Sequence, residues 1–109
     1  MKKRPFILVL STINSPKTAE TIAATLVKEK LAACVNVLPK IRSVYSWKGK
    51  LCRDNEHLMV LKTRKSLYAK LERRLRELHP YEVPEIIALP IEAGHKAYLE
   101  WVASNTLAR

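Results

Sequence analysis

The hydrophobic pattern of the first thirty residues predicts a buried strand followed by an amphipathic helix. Residues 6–10 are apolar on both faces, which is typical of a central strand. Ser15 and Pro16 then suit the cap and the first turn of a helix, because proline lacks a donor that this position does not need. The helix is predicted to run to about Leu31. Its apolar stripe consists of Ala19, Ile22, Ala23, Leu26 and Val27.

The next segment predicts a long hairpin. An apolar strand over residues 34–38 is interrupted at Pro39, and residues 41–47 then alternate, with Ile41, Ser43, Tyr45 and Trp47 on one face. Residues 48–50 form the turn, and the return strand runs to residue 62 around a polar stretch at 53–56. Large aromatic groups near the tip are costly to leave in water, at roughly 1.5–3 kcal/mol each. The hairpin is therefore predicted to mediate oligomerisation.

The last third predicts a helix, a short strand and a second helix. The first helix spans about residues 65–78 and ends at His79, because Pro80 disfavours helical geometry in the residue before it. A strand over residues 85–89 lies between two prolines, and the final helix spans about 95–105. The predicted apolar faces consist of Leu67, Leu71, Leu75 and Leu78 in the first helix and Tyr98, Leu99, Trp101 and Val102 in the second.

This order of elements, β-α-β-β-α-β with a C-terminal helix, predicts a ferredoxin-like α+β sandwich. Right-handed crossovers place both crossover helices on one face of an antiparallel sheet. The other face must then be solvated or be buried on a partner. A chain of 109 residues has room for one domain, predicted over 1–109.

Composition narrows the classes of function. The two glycines exclude a glycine-rich phosphate loop, and the two cysteines lack the spacing of a zinc ribbon. The formal net charge is +10, and residues 40–76 hold twelve basic but only three acidic side chains. Such a block attracts phosphates, nucleic acid or anionic membranes, or keeps the protein soluble, and the last interpretation is the default.

The N-terminus matches a secretion signal only in part. Basic residues 2–4 precede an apolar run, but Ser11 and Thr12 interrupt that run and no cleavage site follows. No segment has the roughly 18 apolar residues of a membrane span. The sequence predicts a cytosolic protein with reduced thiols and no membrane partner.

Candidate chemistry is densest at residues 79–86. His79, Tyr81, Glu82 and Glu85 lie there between prolines, which suits either a ligand or metal site or a rigid turn, and the pattern alone favours the turn. His79 and Cys34 are the best metal ligands by type, although a cysteine in an apolar strand is usually structural. No nucleophile–base constellation is present, so no enzymatic activity is predicted.

Several motifs in order resemble the CutA family of divalent-cation tolerance proteins. They are Leu-Ala-Ala-Cys-Val-Asn at 31–36, Ser-Val-Tyr-Ser-Trp-Lys-Gly-Lys at 43–50, Leu-Lys-Thr at 61–63, His-Pro-Tyr-Glu-Val-Pro-Glu-Ile at 79–86 and Tyr-Leu-Glu-Trp at 98–101. The resemblance runs from Phe6 to about Val102. It implies a ferredoxin-like subunit in a tight homotrimer built by the hairpins, a link to copper and other divalent cations, and no established catalysis.

The resemblance also implies sites. Bacterial relatives hold copper with a cysteine at the end of the first strand and two adjacent histidines. Ser11, Leu78 and His79 match those positions, so only His79 keeps a ligand and weak binding is expected. Cys34 matches a frequent family cysteine that is not that ligand. The positions that match the family's intersubunit cleft are Trp47, Lys62, Tyr81, Glu82 and Trp101.

Two other functions stay open at this stage. An RNA-recognition motif shares the βαββαβ order and suits a basic chain, but its stacking aromatics are missing from residues 58–62, and residues 6–10 supply only Phe6. A nucleic-acid partner is therefore not expected. A small-molecule sensor that uses clefts between subunits is compatible with the family resemblance. No cofactor is certain, and copper or another divalent cation is the candidate.

Overall fold

The computed structural model describes residues 4–108, so residues 1–3 and 109 of the predicted domain lie outside the description, including Lys2 and Lys3 of the basic N-terminal segment. The strands are β1 (Phe6–Ile13), β2 (Cys34–Trp47), β3 (Lys50–Arg64) and β4 (Ile87–Pro90). The helices are α1 (Pro16–Lys28), α2 (Tyr68–Leu78) and α3 (Lys96–Ser104), and a 3-10 turn at Lys65–Leu67 leads into α2. The strands form one antiparallel sheet in the order β2-β3-β1-β4. Within residues 4–108, no helix has the length and apolar composition to cross a bilayer.

The core lies between one face of the sheet and helices α1 and α2. Alternate residues of β1 and β3 point into it, as the two-residue period of a strand requires. The helices contribute the stripes that the sequence predicted, because residues three and four apart share a helix face. The large buried residues of the core are Ile7, Val9, Ile13, Ile22, Leu26, Met59, Leu61, Leu71 and Leu75.

Helix α1 begins as predicted and ends earlier. The Ser15 hydroxyl accepts a hydrogen bond from the Thr18 N–H at 3.2 Å, which satisfies one free donor of the first turn. The predicted end at Leu31 is wrong, because the helix ends at Lys28 and Lys30 adopts a left-handed φ of 60°. Val27 was assigned to the buried stripe but is 39% exposed.

The hairpin is more continuous than the sequence predicted. Strand β2 runs through Pro39 over 14 residues, and β3 runs through the polar stretch over 15. The register shifts between Leu38 and Ile41, where Lys40 has a φ of 58°. Pro39 therefore marks a β-bulge within one strand and not a break between two. At the tip, Lys48 and Gly49 both have positive φ, as in a type I′ turn.

The C-terminal elements differ in detail from the prediction. Strand β4 covers Ile87–Pro90 and not 85–89, and it can include a proline because it is an edge strand. Of the four apolar residues predicted for α3, only Val102 is fully buried. The guanidinium of Arg64 holds α3 to the end of β3 by donating to the Ala103 carbonyl and, at 3.0 Å, to the Thr106 hydroxyl.

Candidate functional site

The sheet face opposite the helices is largely apolar. Paired residues in adjacent strands share a face, so the register assigns this face without ambiguity. Its apolar members are Leu8 and Leu10 of β1, Leu38 of β2, Leu58 and Val60 of β3, and Ile87 and Leu89 of β4. We call them the open-face residues. Ile87 is 51% exposed, and Leu38 and Leu89 are each 44% exposed.

A cavity of about 640 Å³ lies at the hairpin end of the molecule. Three stretches of chain form it: the end of β1, the distal half of the hairpin, and the segment after α2. Its lining residues are Thr12, Asn14, Ser43, Val44, Tyr45, Trp47, Asp54, Glu56, Tyr81, Glu82, Val83 and Glu85. Tyrosine, tryptophan and carboxylate side chains thus meet in one place.

Two tyrosine–carboxylate pairs organise this cavity. The Tyr81 hydroxyl donates to Glu56 Oε2 at 2.7 Å, and the Tyr45 hydroxyl donates to Asp54 on the adjacent strand. Glu56 is only 5% exposed, so the Tyr81 hydroxyl supplies a partner to a carboxylate that has left water. Burial, followed by the bond to Glu56, raises the pKa of Tyr81. The bond to Asp54 raises the pKa of Tyr45 to about 12. Both phenols are neutral at physiological pH.

His79 holds this segment in position. Its ring Nε2 lies 2.8 Å from the Thr12 carbonyl, and its Nδ1 accepts from the Tyr81 N–H at 3.1 Å. These two partners select the neutral tautomer with the proton on Nε2. Burial lowers the pKa of His79, against the opposing effects of the Thr12 carbonyl and the Glu56 charge. The ring also packs edge-to-face on Tyr81, with centroids 4.6 Å apart. Both nitrogens are therefore engaged within the chain.

Cys34 lies at the opposite end of the sheet. It pairs with Lys62, six residues along β3 from Glu56, which is roughly 20 Å at strand spacing. The Cys34 thiol and the Lys62 ammonium both donate to the Asn36 side-chain oxygen. The structure thus does not bring Cys34 and His79 together. Among residues 4–108, no group of three histidine, cysteine, aspartate or glutamate side chains lies close enough to hold one metal ion.

The predicted cleft residues divide into two groups. Trp47, Tyr81 and Glu82 line the cavity, whereas Lys62 bonds Asn36 and Trp101 stacks on Tyr98 with centroids 5.6 Å apart. Sequence reasoning missed Asp54 and Glu56, which it treated only as a polar interruption. Their spacing of two places both on the face that carries Tyr45 and Trp47, and this was the available signal.

Both the sequence and the fold resemble those of known proteins. Residues 7–105 match the family model described as CutA1 divalent ion tolerance protein. The chain belongs to the CutA family. This confirms the resemblance inferred from the sequence motifs. A "Divalent-cation tolerance protein CutA" from Thermus thermophilus is 48% identical over 91% of this chain and 96% of its own length.

Two plant relatives show the same likeness. The solved structure of CutA1 from Oryza sativa superposes with a TM-score of 0.94 at 44% identity, covering 96% of each chain. The "Protein CutA, chloroplastic" of Arabidopsis thaliana is 46% identical over 96% of this chain. This chain spans 58% of that relative's length.

Proposed function

We propose that this chain forms a homotrimer of ferredoxin-like subunits and takes part in the response to divalent metal ions without catalysing a reaction. The observation that carries the assembly is the set of open-face residues. The relation to divalent cations rests on the family and on the name of the Thermus thermophilus relative.

The apolar surface supports assembly through this face. Burying a leucine or isoleucine side chain is worth about 1.5–3 kcal/mol, and Ile87 and Leu89 on the edge strand keep about half of their surface in water within one chain. Tyr45 and Trp47, near the hairpin tip, are 41% and 40% exposed. Neighbouring subunits that cover the open face and the tip would remove both groups from water. The family resemblance implies that the subunits number three.

Metal binding on this proposal is weak in a single subunit. His79 is the one ligand kept from the bacterial copper set, and an incoming ion must displace the bond from the Tyr81 N–H to reach Nδ1. Copper and zinc accept imidazole and thiolate ligands, but Cys34 is too distant to share an ion with His79 in one chain. A tighter site therefore needs donors from a second subunit.

The assembly is tested by light scattering combined with substitutions on matched surfaces. The unaltered protein is expected at three times the subunit mass of 12.5 kDa. Leu89→Lys is expected to lower that mass, since it places a charge on the open face. Val27→Lys is the control, because Val27 is similarly exposed, at 39% against 44%, but lies on α1. A monomeric unaltered protein would contradict the proposal.

Metal binding is tested by titrating Cu(II) and Zn(II) calorimetrically. His79→Gln is expected to weaken binding, and His95→Gln, at an exposed site, is expected to leave it unchanged. Imidazole must be neutral to coordinate, so proton competition at His79 is expected only below about pH 6.5. Unchanged binding in His79→Gln would move the site to Cys34, His57 or His95.

The cytosolic location is part of this proposal. Cys34 and Cys52 are both free thiols, which supports a reducing compartment. Cell fractionation of the tagged protein tests it. Recovery in a membrane-enclosed oxidising compartment would overturn it.

A further inference from the structure

We propose that the distal hairpin of one chain docks on the loop at residues 82–85 of a second copy, through the hairpin face opposite Tyr45 and Trp47. We call this face the hairpin back face, and its residues are Arg42, Val44, Leu51 and Arg53. The 82–85 loop carries Glu82, Val83 and Glu85. The inference rests on the proposed homotrimer and adds to it a contact that the open-face residues do not make.

The distal hairpin exposes apolar side chains on both of its faces. Tyr45 and Trp47 lie on one face, which the proposed open-face contact covers. Val44 and Leu51 lie on the other face, because side chains alternate along a strand, and they are 58% and 62% exposed. Val44 pairs with Arg53, so Val44 and Leu51 are diagonal neighbours across the two strands. A neighbour against one face of this ribbon leaves their patch in water, so burying it takes a separate contact.

The 82–85 loop presents a single apolar side chain on a fixed backbone. Val83 is 66% exposed, more than any other large hydrophobic residue among residues 4–108. His79 holds the start of the segment by accepting from the Tyr81 N–H, and Pro84 restricts the backbone after Val83. A loop that is already ordered loses little conformational entropy on docking. Its own hairpin leaves Val83 in water, so a surface that covers this side chain comes from another molecule.

The charges around the two apolar surfaces are complementary. Arg42 and Arg53 flank the back-face patch, and the Arg42 guanidinium donates to the Asn55 side-chain oxygen at 3.3 Å, which holds it on this face. Glu82 and Glu85 flank Val83, and both are exposed. Opposite charges around an apolar centre are typical of specific contacts, because they fix the orientation of the partners.

The presence of both surfaces on one chain identifies the partner as a second copy. Copies that join hairpin to loop form a head-to-tail contact, which leaves one unpaired surface at each end of an open row. Closure into a ring pairs every back face with a loop. A ring of three subunits matches the number in the proposed assembly.

Disulfide trapping tests the contact directly. All variants carry Cys34→Ser and Cys52→Ser, which remove the native thiols. The variant Leu51→Cys with Val83→Cys is expected to give covalent dimers and trimers on a non-reducing gel after mild oxidation. The control, Leu51→Cys with Val27→Cys, moves the second thiol to an exposed position on α1. We expect at least about fivefold less covalent oligomer from the control, because a disulfide requires Cα atoms within about 7 Å of each other.

Reversal of charge tests the complementarity. Arg42→Glu with Arg53→Glu places like charges across the contact, and so does Glu82→Lys with Glu85→Lys. Each pair is expected to raise the concentration of half-dissociation about tenfold in a dilution series followed by light scattering. The fourfold variant restores opposite charges and is expected to return to within about threefold of the unaltered protein. The control Arg73→Glu with Arg76→Glu, on α2, is expected to change it less than about twofold.

The outcomes distinguish this contact from the trimer itself. A trimeric unaltered protein, combined with equal trapping in the Val83→Cys and Val27→Cys variants, would overturn the contact and leave the trimer standing. A disulfide within one chain would also overturn it, because the two surfaces would then meet in the same subunit. Failure of the fourfold variant to recover would contradict the charge pairing. A monomeric unaltered protein would overturn both the contact and the proposed assembly.

Discussion

Glu56 shows how a single residue sets the character of the cavity. A carboxylate that is 5% exposed is tolerated only with hydrogen-bond partners, and the Tyr81 hydroxyl is one of them. His79 in turn fixes the backbone of Tyr81, so one contact depends on the other. The His79 imidazole, just after α2, therefore positions Tyr81, and Tyr81 in turn stabilises the buried Glu56 carboxylate.

Removing the Tyr81 hydroxyl is expected to destabilise the fold. Tyr81→Phe keeps the ring but leaves Glu56 without that partner, and the expected loss is about 1–2 kcal/mol in free energy of unfolding. Urea denaturation at fixed protein concentration measures it. Tyr45→Phe is the control and is expected to lose less, because water can replace the hydroxyl at the more exposed Asp54. Equal losses in the two variants would contradict the role assigned to burial.

The protonation of His79 predicts a dependence of stability on pH. Burial lowers its pKa in the folded state, so the unfolded chain binds more protons and stability decreases as pH falls below about 6.5. His79→Gln retains an amide donor and an acceptor but does not titrate. Its stability is expected to change less between pH 7.5 and 5 than that of the unaltered protein. Parallel curves in urea denaturation would show that His79 does not carry this effect.

The family resemblance pointed to some of the residues that line the cavity, as members of an intersubunit cleft, and not to others. Trp47, Tyr81 and Glu82 were named because they stand within recognisable motifs. Asp54 and Glu56 belong to no such motif, and their role depends on the cross-strand register with Tyr45 and on the path of the chain after Pro80. Their spacing of two shows that Asp54 and Glu56 share a face, but the register across a bulge, which sets their partners, is a property of the folded sheet.

At the scale of elements, periodicity predicted every helix and strand but not all of their ends. The spacing of hydrophobic residues reflects burial of a face along the whole element, so it reveals that the element exists. The position where an element ends depends on the backbone conformation of one or two residues. The left-handed Lys30 ends α1 early, and the bulge near Lys40 lets β2 continue past Pro39. A lysine with positive φ has no sequence signature comparable to that of glycine.

Substitutions at the two residues of the hairpin turn are expected to change the free energy of unfolding differently. Gly49 has a φ of 80°, so Gly49→Ala is expected to reduce the free energy of unfolding by about 1 kcal/mol. Lys48 has a φ of 53°, which asparagine adopts more readily, so Lys48→Asn is expected to be neutral or stabilising. Urea denaturation of both variants provides the comparison. A loss of stability in Lys48→Asn would contradict the type I′ assignment.

At the scale of the whole molecule, exposed basic residues and the acidic residues of the cavity lie in different places. Arg73 and Arg76 are exposed on α2, and Lys48 and Lys50 are exposed at the hairpin tip. Four of the ten acidic residues, Asp54, Glu56, Glu82 and Glu85, line the recess behind that tip. Large anions are therefore expected to contact the basic residues of the outer surface.

RNA binding tests whether the basic surface acts through its charge alone. A basic surface without stacking aromatics is expected to bind single-stranded RNA weakly, with an affinity that falls about tenfold to a hundredfold between 50 and 200 mM salt. Fluorescence anisotropy with several unrelated sequences measures both the salt slope and the selectivity. Arg73→Gln with Arg76→Gln is expected to make the slope shallower. Glu82→Gln with Glu85→Gln is expected to leave it unchanged, because these substitutions remove no cation that could contact a phosphate. Sequence-selective binding that persists at about 150 mM salt would contradict the solubility interpretation of the basic residues, because selective readout requires contacts to bases and not to phosphates alone.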